Sequence, residues 1–252
     1  MVKPKKHLGQ HFLRNDEICA RVSDSISHSA TKRQVLEIGP GTGALTKHLL
    51  KREDMLVDVV EVDRESVEYL KVHYPILKDR IHEADFLQMP LDELFPSPLV
   101  IAGNFPYNIS SQILFKVLDH RDQVTEVVGM FQKEVAERIA ADSGGRDRGI
   151  LSVLMQAFYT VEYLFTVDEN EFFPPPKVKS GVIRILRNDV KSLPVDEKFF
   201  KTLVKTGFNQ RRKTLRNSVK GVAGYHVDLP FMDKRPEQLS VNQWLELAAA
   251  FL

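Results

Sequence analysis

Three acidic residues and a glycine-rich loop form a pattern suited to a ligand that carries amines and hydroxyls. The loop, Glu37–Gly43 (EIGPGTG), follows a short apolar run, and glycines there let the backbone bend tightly and approach a ligand. Glu37, Glu61 and Asp85 each stand at the end of an early strand-like segment. Carboxylates accept hydrogen bonds from an ammonium group, a ribose diol and an adenine amine, whereas they repel a pyrophosphate.

The loop alone is compatible with more than one nucleotide. A Walker phosphate loop is excluded, because Ala44 stands where its second glycine is required and no lysine follows. A dinucleotide-binding loop stays open, since residues 39–44 fit the looser G-x-G-x-x-A form and Glu61 follows about 20 residues later.

S-adenosylmethionine carries the three groups that these acids would bind, and it has no phosphate. We therefore predict it as the cofactor. Its amino-acid end is assigned to Gly39 and Gly41, its ribose to Glu61, and its adenine amine to Asp85. Any one of these acids would also suit a solvated strand end, but three in register favour a shared ligand.

A second motif, Asn104–Tyr107 (NFPY), follows the fourth strand-like run. It is of the Asn/Asp-Pro-Pro-Tyr type, which is found in enzymes that methylate amines conjugated to a ring or an amide. An amine conjugated in this way is a poor nucleophile, and the Asn104 side-chain carbonyl with the backbone carbonyl of Phe105 or Pro106 would accept both of its hydrogens. The alternative is a buried turn, with Pro106 as a breaker and Tyr107 as packing.

The segments around these motifs predict an α/β fold with a mainly parallel sheet. Short Val- and Ile-rich runs alternate with segments of helical period. The predicted strands are 34–38, 57–63, 81–86, 99–103, 125–131, 161–167 and 181–186. The predicted helices between them are 45–51, 65–72, 110–118 and 132–141. After a linker-like stretch at 188–194, the segments 197–208, 211–219 and 236–252 have helical spacing, which predicts a small all-α domain.

Composition limits the function classes. The longest apolar stretch falls short of the roughly 20 residues that span a bilayer, and the basic start lacks the apolar core of a secretory signal, so we expect a cytoplasmic protein. Cys19 is the single cysteine and predicts a small buried apolar side chain, so we expect no metal site. Residues 1–186 hold 23 basic against 27 acidic side chains and residues 187–252 hold 12 against 7, so net charge changes from −4 to +5. Solvated faces explain this asymmetry as well as a polyanion-binding surface does.

The sequence closely resembles the ribosomal RNA adenine N6,N6-dimethyltransferases of the small-subunit KsgA/RsmA type over nearly its whole length. The segments that carry the resemblance are His7–Leu13 (HLGQHFL), Glu37–Gly43, Glu61–Asp63, Ala84–Asp85, Asn104–Ser110 (NFPYNIS), Gln132–Val135 (QKEV), Phe173–Val178 (FPPPKV) and Phe208–Asn217 (FNQRRKTLRN). The last of them resembles the small-subunit type and differs from the related Erm enzymes, which act on large-subunit RNA.

The resemblance implies a Rossmann-like class I methyltransferase sheet, with an S-adenosylmethionine-binding domain over residues 1–187 and a small helical RNA- or ribosome-binding domain over 188–252. It implies donor contacts at His11, Leu13, Gly39, Glu61, Asp85 and Asn104. Two positions depart from the family, which usually has Asn at His11 and Leu at Phe105.

The expected substrate is a pair of adjacent adenines near the 3′ end of 16S ribosomal RNA, and the expected partner is the small ribosomal subunit. Each adenine must leave its stack, and Tyr107 and Phe173 are the candidates to sandwich it beside the catalytic Asn104. RNA phosphates are assigned to Arg146, Arg148, Arg211, Arg212, Lys213 and Arg216, although residues 211–216 also fit a solvated helix face. We expect a monomer.

Three other functions stay open. One is a binding protein that acts in small-subunit biogenesis with catalysis secondary or lost. Another is a DNA adenine or protein amide methyltransferase. The most distant is a nicotinamide-dependent dehydrogenase.

Overall fold

The computed structural model describes residues 2–210 and 212–251, and its secondary structure alternates between strands and helices in the first two thirds of the chain. The strands are β1 (Phe12–Leu13), β2 (Arg33–Ile38), β3 (Met55–Glu61), β4 (Ile81–Glu83), β5 (Leu99–Asn104), β6 (Val124–Gln132), β7 (Tyr159–Val167), β8 (Phe172–Phe173) and β9 (Ser180–Arg187). The helices are α1 (Asp16–Asp24), α2 (Thr46–Leu49), α3 (Arg64–His73), α4 (Leu91–Leu94), α5 (Ser110–Asp119), α6 (Lys133–Ala140), α7 (Ile150–Gln156), α8 (Glu197–Phe208), α9 (Leu215–Ser218) and α10 (Val241–Ala250).

Seven strands form one sheet in the order β4-β3-β2-β5-β6-β9-β7. Pairing is parallel from β4 through β6 and antiparallel between β6 and β9. Central strands such as β2 are buried on both faces, which explains their continuous apolar runs. The predicted mainly parallel α/β sheet is confirmed, and each predicted strand overlaps an observed one.

The order of the strands places a binding crevice at the middle of the sheet. From β2 the chain moves outward to β3 and β4, then returns to β5 on the other side of β2. In open α/β sheets, ligands bind at the carboxyl ends of the strands where the strand order reverses in this way. The glycine loop follows β2, Glu61 ends β3 and Asn104 ends β5, so three predicted site segments meet at this edge.

The N-terminal residues form two elements that the periodicity of the sequence did not predict. β1 pairs with β8 in an antiparallel ribbon, Phe12 opposite Phe173 and Leu13 opposite Phe172. Helix α1 follows, and the side chain of Asn15 caps it by accepting the backbone N–H groups of Glu17 and Ile18. Within α1, burial raises the pKa of the Cys19 thiol to about 12, and the thiol is buried as predicted.

Residue contacts divide the chain into two compact units. The first ends at Ala136 and resumes over Glu162–Arg187, and the second combines Glu137–Val161 with the residues from Asn188 onward. The first unit ends at residue 187, and Glu137–Val161 groups with the C-terminal helices in the second unit. The reason is local packing, because α7 packs on α8 and the Gly144 N–H donates to the Glu237 carbonyl at 2.9 Å.

The second unit is mainly helical, as predicted. Trp244 of α10 is fully buried, and a Cβ atom added to Gly207 of α8 would lie 2.5 Å from its ring, so the glycine permits the close approach of these helices. Helix α9 begins at Leu215, later than the predicted start at 211, because the backbone N–H groups of Leu215 and Arg216 bond the carbonyls of Lys234 and Met232. None of the helices in the described part of the chain is long and apolar enough to cross a membrane.

Candidate active site

A cleft of about 930 Å³, open to solvent, lies at the carboxyl edge of β2, β3 and β5 in the first unit. It brings together all the residues predicted to hold the methyl donor. They are His11, Leu13, Gly39, Gly41, Glu61, Asp85 and Asn104. Tyr107 lines the same cleft, so both predicted motifs contribute to one site.

The glycine loop has the backbone conformation that its composition suggests. Gly39 and Gly41 have φ angles of 67° and 55°, in the left-handed region that other residues rarely adopt. A Cβ atom on Gly41 would lie 2.7 Å from the ring of Phe12. The loop therefore packs closely against Phe12 of the N-terminal strand β1, and a side chain at residue 41 would push the loop and the strand apart.

Glu61 is buried and is oriented by two backbone groups. Its Oε2 accepts the N–H of Gly41 at 3.1 Å, and its Oε1 accepts the N–H of Asp63 at 2.9 Å. Burial raises the pKa of this carboxyl, and the two backbone bonds partly offset that effect. A carboxylate has about four acceptor positions, so both oxygens retain capacity for a ribose diol.

Glu37 is the most deeply buried of the three acids. Burial raises the pKa of its carboxyl to about 8, although the Thr46 hydroxyl donates to Oε2 at 2.6 Å and favours the ionised form. The negative charge of Glu61 raises this pKa further. Burial therefore favours the neutral form of the Glu37 carboxyl.

A second group of contacts, which sequence reasoning missed, attaches the N-terminal segment to the end of β3. Asp63 accepts hydrogen bonds from the ammonium of Lys5 and from the Gln10 amide, the latter at 3.3 Å. Burial alone would raise the pKa of Asp63, but these bonds and one from Ser66 outweigh it and the pKa is lowered. The only signal in the sequence was that Gln10 and Asp63 both lie in segments that carry the family resemblance.

Asp85 occupies the rim of the cleft. It is exposed, and its Oδ1 accepts the N–H of Leu87 at 2.9 Å, capping the short 3₁₀ turn Phe86–Gln88. This turn starts directly after the carboxyl end of β4, so the third acid lies at the same edge of the sheet as Glu61.

The orientation of the Asn104 side chain follows from one contact. Its Nδ2 donates to the backbone carbonyl of His11 at 2.8 Å. A carbonyl oxygen only accepts, so the amide nitrogen must be the atom that faces His11. The remaining amide atom, Oδ1, is an acceptor, and Asn104 lines the same cleft as the acids.

His11 and Ser180 hold the ring of Tyr107. The imidazole stacks on Tyr107 with 5.8 Å between ring centroids, and the Tyr107 hydroxyl lies 2.6 Å from the buried Ser180 hydroxyl. The His11 Nδ1 lies 2.7 Å from the carbonyl of Pro174, so this nitrogen carries the proton and donates it. The histidine that departs from the usual family residue thus contacts Tyr107 and the turn after Phe173.

The second departure, Phe105, is part of the core. Its ring is 1% exposed and meets Phe131 edge to face, 5.1 Å apart. Cβ atoms added to Gly129 and Gly103 would lie 2.2 Å and 2.9 Å from this ring. The two glycines therefore provide the space that the larger aromatic side chain occupies.

Phe173 lies on β8, next to Phe12, which lines the cleft. Its ring is 47% exposed, and the guanidinium of Arg14 lies 4.2 Å from the ring centroid. The structure thus places this predicted stacking residue on the strand beside the cleft wall, with an accessible aromatic surface.

A family model described as "Ribosomal RNA adenine dimethylase" matches residues 1–250. The chain belongs to the ribosomal RNA adenine dimethylase family. The resemblance inferred from the sequence motifs is confirmed, and so is the methyltransferase class that it implied.

Two relatives and two solved structures show how far the similarity within the adenine dimethylase family extends. The chain is 56% identical to the "Ribosomal RNA small subunit methyltransferase A" of Cytophaga hutchinsonii, over 98% of this chain and 96% of that protein. It is 57% identical to the protein of the same name from Parabacteroides distasonis, over 98% and 93%. The fold resembles the crystal structure of a dimethyladenosine transferase from Plasmodium falciparum, with a TM-score of 0.79 and 27% identity over 96% of this chain and 97% of that one. It also resembles the 23S rRNA methyltransferase ErmE, with a TM-score of 0.65 and 26% identity over 95% and 99%.

The basic residues predicted to contact RNA in this adenine dimethylase have different surroundings. Arg146, Arg212 and Lys213 are exposed, whereas Arg216 pairs with Asp233 at 3.0 Å. Arg211 lies outside the described residues.

Arg148 corrects one prediction. The residue is 4% exposed, and its guanidinium donates to the Ala141 carbonyl at 2.7 Å and to the Gln156 side chain at 2.8 Å. Burial lowers its pKa, and the charge of Asp142 opposes that shift. Arg148 closes the loop between α6 and α7 and presents no charge to RNA.

Proposed function

We propose that the protein uses S-adenosylmethionine to convert two adjacent adenines near the 3′ end of 16S ribosomal RNA to N6,N6-dimethyladenine. Membership in the adenine dimethylase family and relatives named "Ribosomal RNA small subunit methyltransferase A" at 55–57% identity support the proposal. The single observation that carries it is that the Asn104 amide, fixed at its nitrogen, shares one cleft with Glu61 and Asp85.

The cleft fits S-adenosylmethionine by its chemistry. Glu61 offers two oriented carboxylate oxygens for the ribose, Asp85 offers an acceptor for the adenine amine, and the backbone at Gly39 and Gly41 receives the amino-acid end. In the described part of the chain, neither lysine nor arginine lines the cleft. A pyrophosphate would therefore meet acids without compensating cations, which disfavours a dinucleotide.

The protein's own contribution to the reaction is orientation of the adenine amine. Asn104 Oδ1 accepts one N6 hydrogen and the Phe105 backbone carbonyl accepts the other, so the nitrogen lone pair is withdrawn from the ring. The Pro106 carbonyl already accepts the N–H of Ile109 at 3.1 Å, which favours Phe105 as the second acceptor. When bound, S-adenosylmethionine supplies a methyl group carried on a sulfonium. The thioether that forms is a good leaving group, so the cleft needs no acid to assist its departure.

Dimethylation places a second demand on the same acceptors. After the first transfer the cationic nitrogen releases one proton to solvent and one N6 hydrogen remains, so one of the two acceptors is enough to orient the amine for the second transfer. Tyr107, held by His11 and Ser180, provides one face for the extruded adenine and Phe173 provides the other. Each stacking contact contributes about 1–3 kcal/mol.

The proposal includes binding of RNA by exposed basic residues. Arg146, Arg212 and Lys213 contact phosphates, and the substrate is the small subunit during its biogenesis in the cytoplasm, bound by one copy of the enzyme.

Methyl transfer to small subunits that lack the modification tests the proposed function. Labelled S-adenosylmethionine is supplied with these subunits, with mature subunits, with naked 16S RNA or with DNA, and the products are mapped by mass spectrometry. We expect two methyl groups on each of two neighbouring adenines in the unmodified subunits and none in the mature ones. Incorporation into DNA alone, or into no nucleic acid, would overturn the proposal.

Ligand-dependent melting gives an independent check on the cofactor. S-adenosylmethionine is expected to raise the melting midpoint and NAD to leave it unchanged, because a ligand that binds only the folded state stabilises it.

A further inference from the structure

One helix holds the segment that carries the third acid of the cleft. Three polar side chains on α5 or just after it contact the residues between β4 and β5, all within the first unit. Lys116 contacts the Phe86–Gln88 turn and Met89, His120 pairs with Asp92 at 3.0 Å, and the Gln123 amide donates to the Leu91 and Phe95 carbonyls. Helix α5 begins three residues after Tyr107, so it connects the catalytic motif with this segment.

Of these contacts, that of Lys116 is the one nearest in sequence to Asp85. Its ammonium donates to the Leu87 carbonyl at 3.1 Å and more closely to the Met89 carbonyl. It also lies 5.3 Å from the ring centroid of Phe86, within the range of a cation–π interaction. Phe86 in turn lines the cleft.

Leu87 links the lysine to the acid through its two backbone groups. Its N–H donates to Asp85 Oδ1 at 2.9 Å, and its carbonyl accepts from Lys116. Burial lowers the pKa of the Lys116 ammonium, and the charges of Asp85 and Asp92 oppose that shift. A partly buried cation thus contacts a carbonyl of the turn that the exposed Asp85 carboxylate caps.

We propose that Lys116 is a positioning residue for recognition of the donor's adenine, because it fixes the turn that places Asp85. The inference rests on the proposed function, in which Asp85 accepts the adenine amine. Without the ammonium, the Leu87 and Met89 carbonyls lose their partner, the turn relaxes, and the Asp85 carboxylate leaves the position that distinguishes an amine from a carbonyl at C6 of the purine.

The test compares two product analogues that differ at that purine position. Binding of S-adenosylhomocysteine and S-inosylhomocysteine is measured by calorimetry. The wild type is expected to prefer the adenosyl ligand by at least about tenfold, because the inosyl carbonyl would oppose the carboxylate. Lys116→Met is expected to bring this preference close to unity.

Three variants make the result specific. Lys116→Gln, which cannot reach both carbonyls, is expected to lose the preference as Lys116→Met does, and Lys116→Arg is expected to keep most of it. His120→Ala removes another contact of the same helix to the same segment, farther from Asp85, and is expected to keep the preference. Melting curves identify the folded variants.

A folded Lys116→Met or Lys116→Gln protein that still discriminates fully would overturn the inference, as would an equal loss in His120→Ala. If the wild type binds neither analogue, the proposed donor site itself is wrong and the inference falls with it. These outcomes differ in whether the wild type binds, so the two failures are distinguishable.

Discussion

In the cleft of the first unit, each of the three acids is held by hydrogen bonds from nearby backbone or side-chain groups, whereas three basic side chains of the second unit are simply exposed. Glu61 is bonded by Gly41 and Asp63, but Arg146 and Lys213 lie at the surface. The acids must meet particular atoms of one small ligand, and RNA phosphates require only that positive charge be within reach. The difference predicts large, ligand-specific effects of substitution in the cleft and small, salt-dependent ones at the basic surface.

The largest effect on donor affinity is expected at Glu61. In the wild type, the two carboxylate oxygens of Glu61 accept the backbone N–H groups of Gly41 and Asp63. Glu61→Gln keeps the shape of the side chain but loses its charge and one of these two acceptor oxygens. Donor affinity is expected to fall about 100-fold, since hydrogen bonds to charged groups contribute roughly 1.5–3 kcal/mol each. Calorimetry with S-adenosylhomocysteine measures the change, and an affinity within threefold of wild type would remove Glu61 from the site.

Substitution of the buried Arg148 is expected to change stability, whereas substitution of the exposed cations is expected to change RNA binding. Arg148→Met is expected to lower the free energy of unfolding by about 2 kcal/mol, because it removes the two hydrogen bonds that the buried guanidinium donates to the Ala141 carbonyl and the Gln156 side chain. Its RNA affinity, measured on the folded fraction, should keep the wild-type salt dependence. A reduced salt slope with unchanged stability would restore Arg148 to the RNA-binding set.

The matched pair on the surface is Arg212 and Lys213. Substituting both by Gln is expected to weaken RNA binding about tenfold and to reduce the slope of log K against log salt by about 1.5–2. Unfolding by denaturant should be unchanged, since both side chains are exposed. RNA titrations at several salt concentrations measure the slope, and a full wild-type slope would show that other cations bind the phosphates.

Glu37 predicts a pH dependence. Its pKa rises from 4.5 to about 8 on folding, so between these pH values the folded state holds a proton on Glu37 that the unfolded state has lost. The resulting contribution to stability is present at low pH and is lost as pH rises from about 4.5 to 8. An arriving methionyl ammonium favours the ionised form, so donor affinity should increase several-fold from pH 6 to pH 8 with release of a proton. Glu37→Gln should flatten this profile, and an unchanged profile in that variant would assign the effect elsewhere.

The smallest effect is expected at His11. The contact to Asn104 uses the His11 backbone carbonyl, which remains in any variant, and an asparagine side chain can also donate to the Pro174 carbonyl. His11→Asn, the usual family residue, is expected to change the methyl-transfer rate by less than about threefold, since only the stacking on Tyr107 is lost. A rate reduced tenfold or more would mean that the imidazole takes part in the chemistry.

The cleft was more predictable than the rest of the molecule for a physical reason. The cleft is formed by the glycines with positive φ, the acids at the strand ends and Asn104 at the end of β5. Strand periodicity in the sequence predicts where each strand ends, and the carboxyl ends of neighbouring parallel strands lie at one edge of the sheet. Burial of Arg148 and the pairing of Asp63 with Lys5 depend on contacts between residues that the sequence pattern does not connect. For the same reason the sequence pattern does not associate Glu137–Val161 with the C-terminal helices, because the packing of this segment on α8 leaves no local signal.

Asn104 is proposed to orient the acceptor amine in the cleft that binds the donor, and this role is tested by measuring methyl transfer and donor binding in one variant. In Asn104→Ala, single-turnover methyl transfer to unmodified small subunits and the affinity for S-adenosylhomocysteine are determined in parallel. If Asn104 has this role, transfer falls by about 1000-fold while donor affinity stays within about fivefold of wild type. Transfer at a near wild-type rate would contradict it.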